Sequence, residues 1–293
     1  MWIWQKNMEM QIEQWVAEAP LNQKPIRQAT HLILKAISGS DELSAKMVMK
    51  GGALLGLRYG SKRYTTDIDF STELLLADVN IAEFEASFND ALDVAEAELA
   101  YGMKCKLQSH KIQPNAQGTF PTVKLRIAYS YKNDSAQMKR LEGRNSTNLI
   151  SIDYSFNEKT YNCEIIEIDG GELKAYSILD LLAEKYRSIL QQKVRGRNRE
   201  QDIYDINYLL TTIADLSGDD KYKILDSLLR KSEGKEVDEF LNAAGMDDPR
   251  IKERSGMRYA DLRSTVTELP DFEESYARVS GFFRGLPWEL FGK

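Results

Sequence analysis

Two aspartates one residue apart, Asp67 and Asp69, end the stretch Lys50–Ser71, KGGALLGLRYGSKRYTTDIDFS. In a β-strand successive side chains alternate faces, so this spacing sends both carboxylates to one side while Ile68 and Phe70 point into the core. Two like charges side by side are costly unless a cation lies between them, and a divalent metal carrying a nucleoside triphosphate is the usual solution. Upstream, Gly51 and Gly52 stand between a strand expected over Lys46–Met49 and a helix expected over Ala53–Arg58. Glycine at such a junction lets backbone N–H groups at a helix N-terminus approach phosphate oxygens. Metal carboxylates and a phosphate cradle thus fall within one short unit.

Other elements must hold that unit. Helical periodicity covers 7–19 and 26–38, with Met8, Ile12, Trp15 and Val16 in the first and Ile33, Leu34 and Ile37 in the second; His31 reads as packed. A long helical pattern, Ile81–Ala100, ends at Gly102, and Lys104–Gln113, Thr119–Tyr131, Asn148–Asn157 and Cys163–Ile168 read as strands. In Thr119–Tyr131 the residues Val123, Leu125, Ile127 and Tyr129 alternate with Lys124, Arg126, Ala128 and Ser130, giving one apolar face and one basic, small face. In Asn148–Asn157 the apolar residues Ile150, Ile152, Tyr154 and Phe156 place Asp153 on the opposite face, between Ser151 and Ser155. After the turn Asp169-Gly170-Gly171, every periodic segment beyond about residue 176 is helical. An α+β domain over 1–175 and a helical domain over 176–293 are therefore expected.

On the helix expected over Tyr176–Val194, Lys185 falls between Leu181 and Ile189 at i+4 spacing, which puts it on the apolar face in need of a partner. On the next helix, expected over Glu200–Ile213, Asp202 lies at the edge of the stripe formed by Ile203, Ile206, Leu209 and Leu210, and Asp205 is turned farther toward solvent. Lys185 and Asp202 read either as an ion pair holding two helices in register or as part of a site with the Asp67–Asp69 unit.

The text KGG-x-L-x-x-x-R followed by R-x-T-x-D-I-D-F, within Lys50–Phe70, resembles the AbiEii/AbiGii-type toxins, which include the MenT group, within the polymerase-β nucleotidyltransferase superfold. EKYRSIL and RNREQDIYDI resemble the same family's later motifs, in which Lys185 takes the motif lysine's place, Asp202 that of the aspartate and Asp205 that of the second acid. Gln201 departs from the basic residue usual before the first acid. The resemblance implies a polymerase-β-like domain with a mixed sheet followed by a helical domain. It also implies an enzyme of the EC 2.7.7 type that uses Mg²⁺ and transfers NMP from NTP to the 3′ end of tRNA. A cognate antitoxin and a place in abortive infection or phage defence come with it.

On this reading Asp67, Asp69, Lys185 and Asp202 are catalytic, and Asp67 and Asp69 hold metal with Asp153 or Asp202 as the third carboxylate. Gly51, Gly52, Arg63, Thr66 and Lys185 bind the nucleotide, with Ser61 a further donor near the basic turn and Arg58 either a phosphate ligand or a brace. Transfer to a protein or small molecule, or a nucleotide-binding module without catalysis, are the alternatives.

The whole chain is consistent with this. Its 293 residues, 42% hydrophobic and 29% charged, describe an ordinary globule with a substantial core. No basic region leading into an apolar core opens the sequence and no run of about 18 apolar residues occurs, so a cytoplasmic protein with no membrane contact is expected. Cys105 and Cys163 flank no histidine cluster and read as buried thiols. A net charge of −6 argues against a general nucleic-acid coat and leaves one basic run, Lys185–Arg199, as a track for the acceptor. From Lys221–Arg230 onward nothing suggests chemistry, and Phe282, Phe283, Trp288 and Phe291 read as core closure or a docking tail.

Overall fold

The computed structural model describes residues 8–212 and 216–292. Asn7 and Ile213, end residues of two expected helices, and the opening residues before Met8 lie outside the described residues.

The alternating text builds one mixed sheet. Its strands are β1 (Met8–Glu9), β2 (Val48–Lys50), β3 (Asp67–Ser71), β4 (Met103–Gln113), β5 (Thr122–Tyr131), β6 (Leu149–Ser155), β7 (Cys163–Ile168) and β8 (Gly171–Tyr176), in the order β1-β7-β8-β2-β3-β6-β5-β4. The apolar face of the central strands carries Ile68, Phe70, Leu125, Ile127, Ile150, Ile152 and Tyr154, all buried. Helices Lys24–Ser38 and Ile81–Glu98 cover that face, and Phe84 stacks on Tyr154 with ring centroids 5.7 Å apart. Each large side chain so buried contributes about 1.5–3 kcal/mol, and a one-residue slip of β3 would expose Ile68 and Phe70 and bury the aspartates. The alternation therefore fixes which way Asp67 and Asp69 face.

Helices after β8, chiefly Ile178–Leu190, Glu200–Thr212 and Gly218–Ser232, line a cleft together with the opposite face of β3 and β6. Several sequence expectations shift. The strand expected at Lys46–Met49 lies at Val48–Lys50, because Ser40 caps a short helix, Asp41–Lys46, by accepting from Leu43 N–H. The helix expected at Ala53–Arg58 runs Gly51–Tyr59. β8 is an added strand, which the Asp169-Gly170-Gly171 turn makes by folding the chain back on β7 as a hairpin. The pattern expected over Tyr176–Val194 is a helix ending at Leu190 and a short one at Gln192–Arg195.

Cys105 is buried as expected, but Cys163 is exposed at the start of β7. His31 is fully buried between Tyr101 and Asp169. Phe283 and Trp288 are buried and Phe282 stacks on Tyr186, so the aromatic end closes the core. Among the described residues no helix is long and apolar enough to cross a membrane.

Candidate active site

Strand register brings the first group of residues together. β3 and β6 run parallel with Asp69 opposite Asp153 and Asp67 opposite Ser151, while β2 runs antiparallel to β3 with Lys50 opposite Asp69. Three carboxylates and one ammonium thus share one face of three adjacent strands. Burial, with the charges of Asp153 and Asp67, pushes Asp69 up to about 6 against the opposing pull of Lys50. Asp67 is raised too, mainly by burial, with Lys124 opposing and Asp153 reinforcing. Asp153 Oδ1 is buried and accepts no hydrogen bond; its near cation is Lys124 Nζ at 3.3 Å. A cation of hard-oxygen preference fits this donor set.

The helix Gly51–Tyr59 starts directly beside these carboxylates. Its N-cap, Lys50, makes no side-chain cap, so first-turn N–H groups have no side-chain acceptor there. Gly51 has φ +75°, and a Cβ on it would lie 2.0 Å from Asp69 Oδ2; a Cβ on Gly52 would lie 2.7 Å from Arg63 Nη2. The glycines are required because Asp69 and Arg63 occupy the space where side chains would stand.

A second group comes from the later helices. Lys185 Nζ donates to Asp202 Oδ1 at 2.9 Å and to Asp205 Oδ2 at 2.7 Å. Arg63 binds the same Asp205 through Nε at 2.8 Å and Nη2 at 2.9 Å. Asp205 is fully buried rather than turned to solvent as the helical wheel suggests. The wheel assumes one packed face, but this helix has two: Ile203 and Ile206 are buried on one side, while Tyr208, one turn from Asp205, donates to Tyr59 carbonyl oxygen at 2.8 Å. Burial opposes the charge on Lys185, and the attraction of Asp202 and Asp205 outweighs it and raises its pKa. Asp202 keeps one oxygen, Oδ2, buried without a hydrogen bond.

Both groups line one cleft of about 640 Å³. Gly51, Gly52, Arg63, Asp67, Asp69, Asp153, Lys185 and Asp202 all border it. Thr66 does not: it is exposed, its Oγ1 donates to Asp67 Oδ1 at 3.5 Å, and with Ser61 it borders a neighbouring cavity of about 270 Å³. Arg63 is already bound bidentately to Asp205, so it is a fixed charge behind the glycines rather than an uncommitted phosphate ligand. Arg58 donates to Glu164 at 3.1 Å, away from the cleft lining.

The basic run Lys185–Arg199 divides. Lys185 is paired as above, and Arg187 is buried against Glu184, so neither can track a polymer. Arg195, Arg197 and Arg199 do border the cleft. The cleft also contains residues beyond the site residues expected from the sequence. Lys50 donates to Glu158 at 2.6 Å, and Arg230, Lys231 and Lys235 reach in from the part of the chain expected to carry no chemistry. Lys50 was legible, since it precedes the glycine pair. Lys231 and Lys235 were not, because an amphipathic helix end looks alike whether it meets solvent or a cleft.

Among the described residues no three side chains of the metal-ligating types converge tightly enough to enclose an ion by themselves.

Comparison with known proteins shows the fold to be shared. JHP933 from Helicobacter pylori matches over 94% of this chain and 96% of its own, at 15% identity and a TM-score of 0.53. A candidate nucleotidyltransferase from H. pylori matches over 94% and 98%, at 15% identity and a TM-score of 0.51. MenT4, a nucleotidyltransferase toxin from Mycobacterium tuberculosis H37Rv, matches over 94% and 97%, at 16% identity and a TM-score of 0.48. No protein of curated function matches the sequence significantly. The α+β fold expected of a nucleotidyltransferase is the fold found. The family model "Nucleotidyl transferase AbiEii toxin, Type IV TA system" matches residues 33–278, and the chain accordingly belongs to the AbiEii nucleotidyl transferase toxin family.

Proposed function

We propose that this chain is a Mg²⁺-dependent transferase of the EC 2.7.7 type that moves NMP from an NTP to the 3′ end of tRNA, and that a cognate antitoxin restrains it. The observation that carries the chemistry is the register pair Asp69–Asp153 beside an uncapped helix N-terminus, in a cleft rimmed by arginine and lysine. Family membership supports the toxin reading. Action in the cytoplasm, in abortive infection or phage defence, belongs to the same reading.

On this reading an α+β unit, 1–175, supplies Asp67, Asp69, Asp153, Gly51 and Gly52, and a helical unit, 176–293, supplies Lys185 and Asp202. N–H groups of the first turn after Gly51 meet the β- and γ-phosphates, helped by the positive end of the helix dipole. Arg195, Arg197, Arg199 and Lys235 surround the remaining triphosphate charge. Asp67 and Asp69, with Asp153 as the third carboxylate, would hold Mg²⁺ together with the substrate phosphates, and the ion would supply Lewis-acid stabilisation of the α-phosphate and of the attacking hydroxyl. The hydroxyl oxygen forms the new P–O bond as its O–H bond breaks and the proton passes to solvent water, the bond from the α-phosphorus to the bridging oxygen breaks to release pyrophosphate, and no protein atom becomes covalently attached. Lys185, anchored by Asp202 and Asp205, places a fixed positive charge at the cleft wall.

The test is to incubate the protein and Mg²⁺ with each NTP, labelled at the α-phosphate, in the presence of total tRNA or of soluble protein. Label on the tRNA 3′ end, lost in Asp69→Ala, is the expected result. Label on protein would replace the acceptor, and no label on either would overturn the tRNA reading in favour of a small-molecule acceptor or a module without catalysis.

A further inference from the structure

Resting on the nucleotidyl-transfer reading, we propose that the 3′-terminal strand of the acceptor lies across the open sheet face of β6, β5 and β4, contacting Arg126 and Lys111, rather than along the Arg195–Arg199 loop.

Strand pairing sets out a row that only the folded sheet makes. Lys50 on β2 faces Asp69 on β3, which faces Asp153 on β6, which faces Lys124 on β5, which faces Lys111 on β4. The next row runs Asp67, Ser151, Arg126, Ser109. The carboxylates therefore pass without a gap into cations, and Lys111 lies two strand steps, about 10 Å, beyond Asp153.

The face changes along the strands. At the far end of β5, Ala128 and Ser130 are buried, and helix Ser135–Glu142 sits there with Glu142 pairing both Lys104 and Lys106. At the near end Arg126 and Lys111 are exposed and have no acidic partner among the described residues. Lysine and arginine left uncompensated beside a site, in a protein of net charge −6, are complementary to an anion.

The occupant follows from where the row begins. Its reacting hydroxyl must stand at Asp69 and Asp153 while negative charge continues outward at successive strand spacings, with Ser109 and Ser151 as hydroxyl donors between. A chain that ends in a hydroxyl and carries a phosphate at every unit has that form. Arg195, Arg197 and Arg199 line the cleft itself, with the glycine pair and the carboxylates, whereas Lys111 and Arg126 are not part of its lining and lie on the sheet face beyond it.

The test uses the full chain with a fluorescent single-stranded RNA whose labelled 5′ end leaves the 3′ hydroxyl free. Binding is measured by anisotropy over a series of salt concentrations, and Mg·NTP binding is measured separately by calorimetry. For Lys111→Ala/Arg126→Ala we expect RNA affinity to fall roughly tenfold or more and the slope of log affinity against log salt to flatten by about 1.4, or ~0.7 per lost phosphate contact. Mg·NTP affinity should stay unchanged. Lys139→Ala, which removes an exposed cation outside the row, serves as the charge control and should leave the slope alone. An unchanged RNA affinity and slope in the double variant would overturn the proposal, as would wild-type protein that binds Mg·NTP but no RNA. If the same substitutions weakened only an acidic protein partner, the face would belong to that partner and the proposal would fall. Failure of wild type to bind Mg·NTP would instead count against the transferase reading, leaving the RNA measurement to decide the surface.

Discussion

Asp205 holds Lys185 at 2.7 Å from one oxygen while both its oxygens also bind Arg63, so a single fully buried carboxylate ties the loop before Asp67 to two helices of the later part of the chain. Burial alone would raise the Asp205 pKa, and the two cations, Lys185 first, bring it below the usual carboxylate value. Because the folded pKa is depressed, its stabilisation is present above the unfolded pKa and is lost as pH falls through the lowered value.

Asp205→Ala leaves two buried cations with reduced compensation and should cost about 3–5 kcal/mol. Asp202→Ala should cost less, because Lys185 keeps Asp205. Urea denaturation at neutral pH compares the two directly; equal losses would show that the bridge does not hold the elements together.

Gly51→Ala should abolish Mg·NTP binding. The left-handed backbone at Gly51 disfavours any side chain, by roughly 1–2 kcal/mol, and the new methyl group would displace the Asp69 carboxylate. Circular dichroism should report a folded protein while calorimetry finds no nucleotide binding; retained binding would mean that Asp69 has room to move.

The two candidates for the third carboxylate separate by variant. Asp153→Asn removes a carboxylate in register with Asp69 and should reduce Mg²⁺-dependent transfer by at least the ~10–100-fold seen when even an outer-shell partner is lost. It should also abolish the rise in melting temperature that Mg·NTP gives. Asp202→Asn should lower transfer but keep that rise. The reverse pattern would move the metal to Asp202.

Lys235 supplies a pH signature. Burial, then repulsion from Arg187, lowers its pKa to about 7 against Glu158 and Glu184. Between about 7 and the unfolded value near 10.5 the unfolded chain holds a proton that the folded chain lacks, so this group makes stability rise with pH across that window. An incoming triphosphate favours the charged form, so nucleotide binding at about pH 8 should take up a proton. Calorimetry in buffers of different ionisation enthalpy would measure it, and Lys235→Gln should remove it; uptake unchanged in that variant would assign the proton elsewhere.

The sequence by itself determined which side chains share a polar face. Alternation in DIDFS and in Asn148–Asn157 is a local steric property, so it placed Asp67, Asp69 and Asp153 on polar faces without knowledge of the sheet. The KGG text marked a close approach at the start of a helix, since glycine is the residue that leaves such space. Lys185 was also legible: a lysine on an apolar stripe must find an anion. What local pattern could not decide is which strands become neighbours. Register alone put Lys50, Asp69, Asp153, Lys124 and Lys111 in one row, although they are dispersed over residues 50–153. Nor could a helical wheel show that Glu200–Thr212 packs on two sides and so buries Asp205, or that Lys231 and Lys235 turn into the cleft. Those outcomes depend on contacts between elements far apart in the chain, and only the folded arrangement of sheet and helices supplies them.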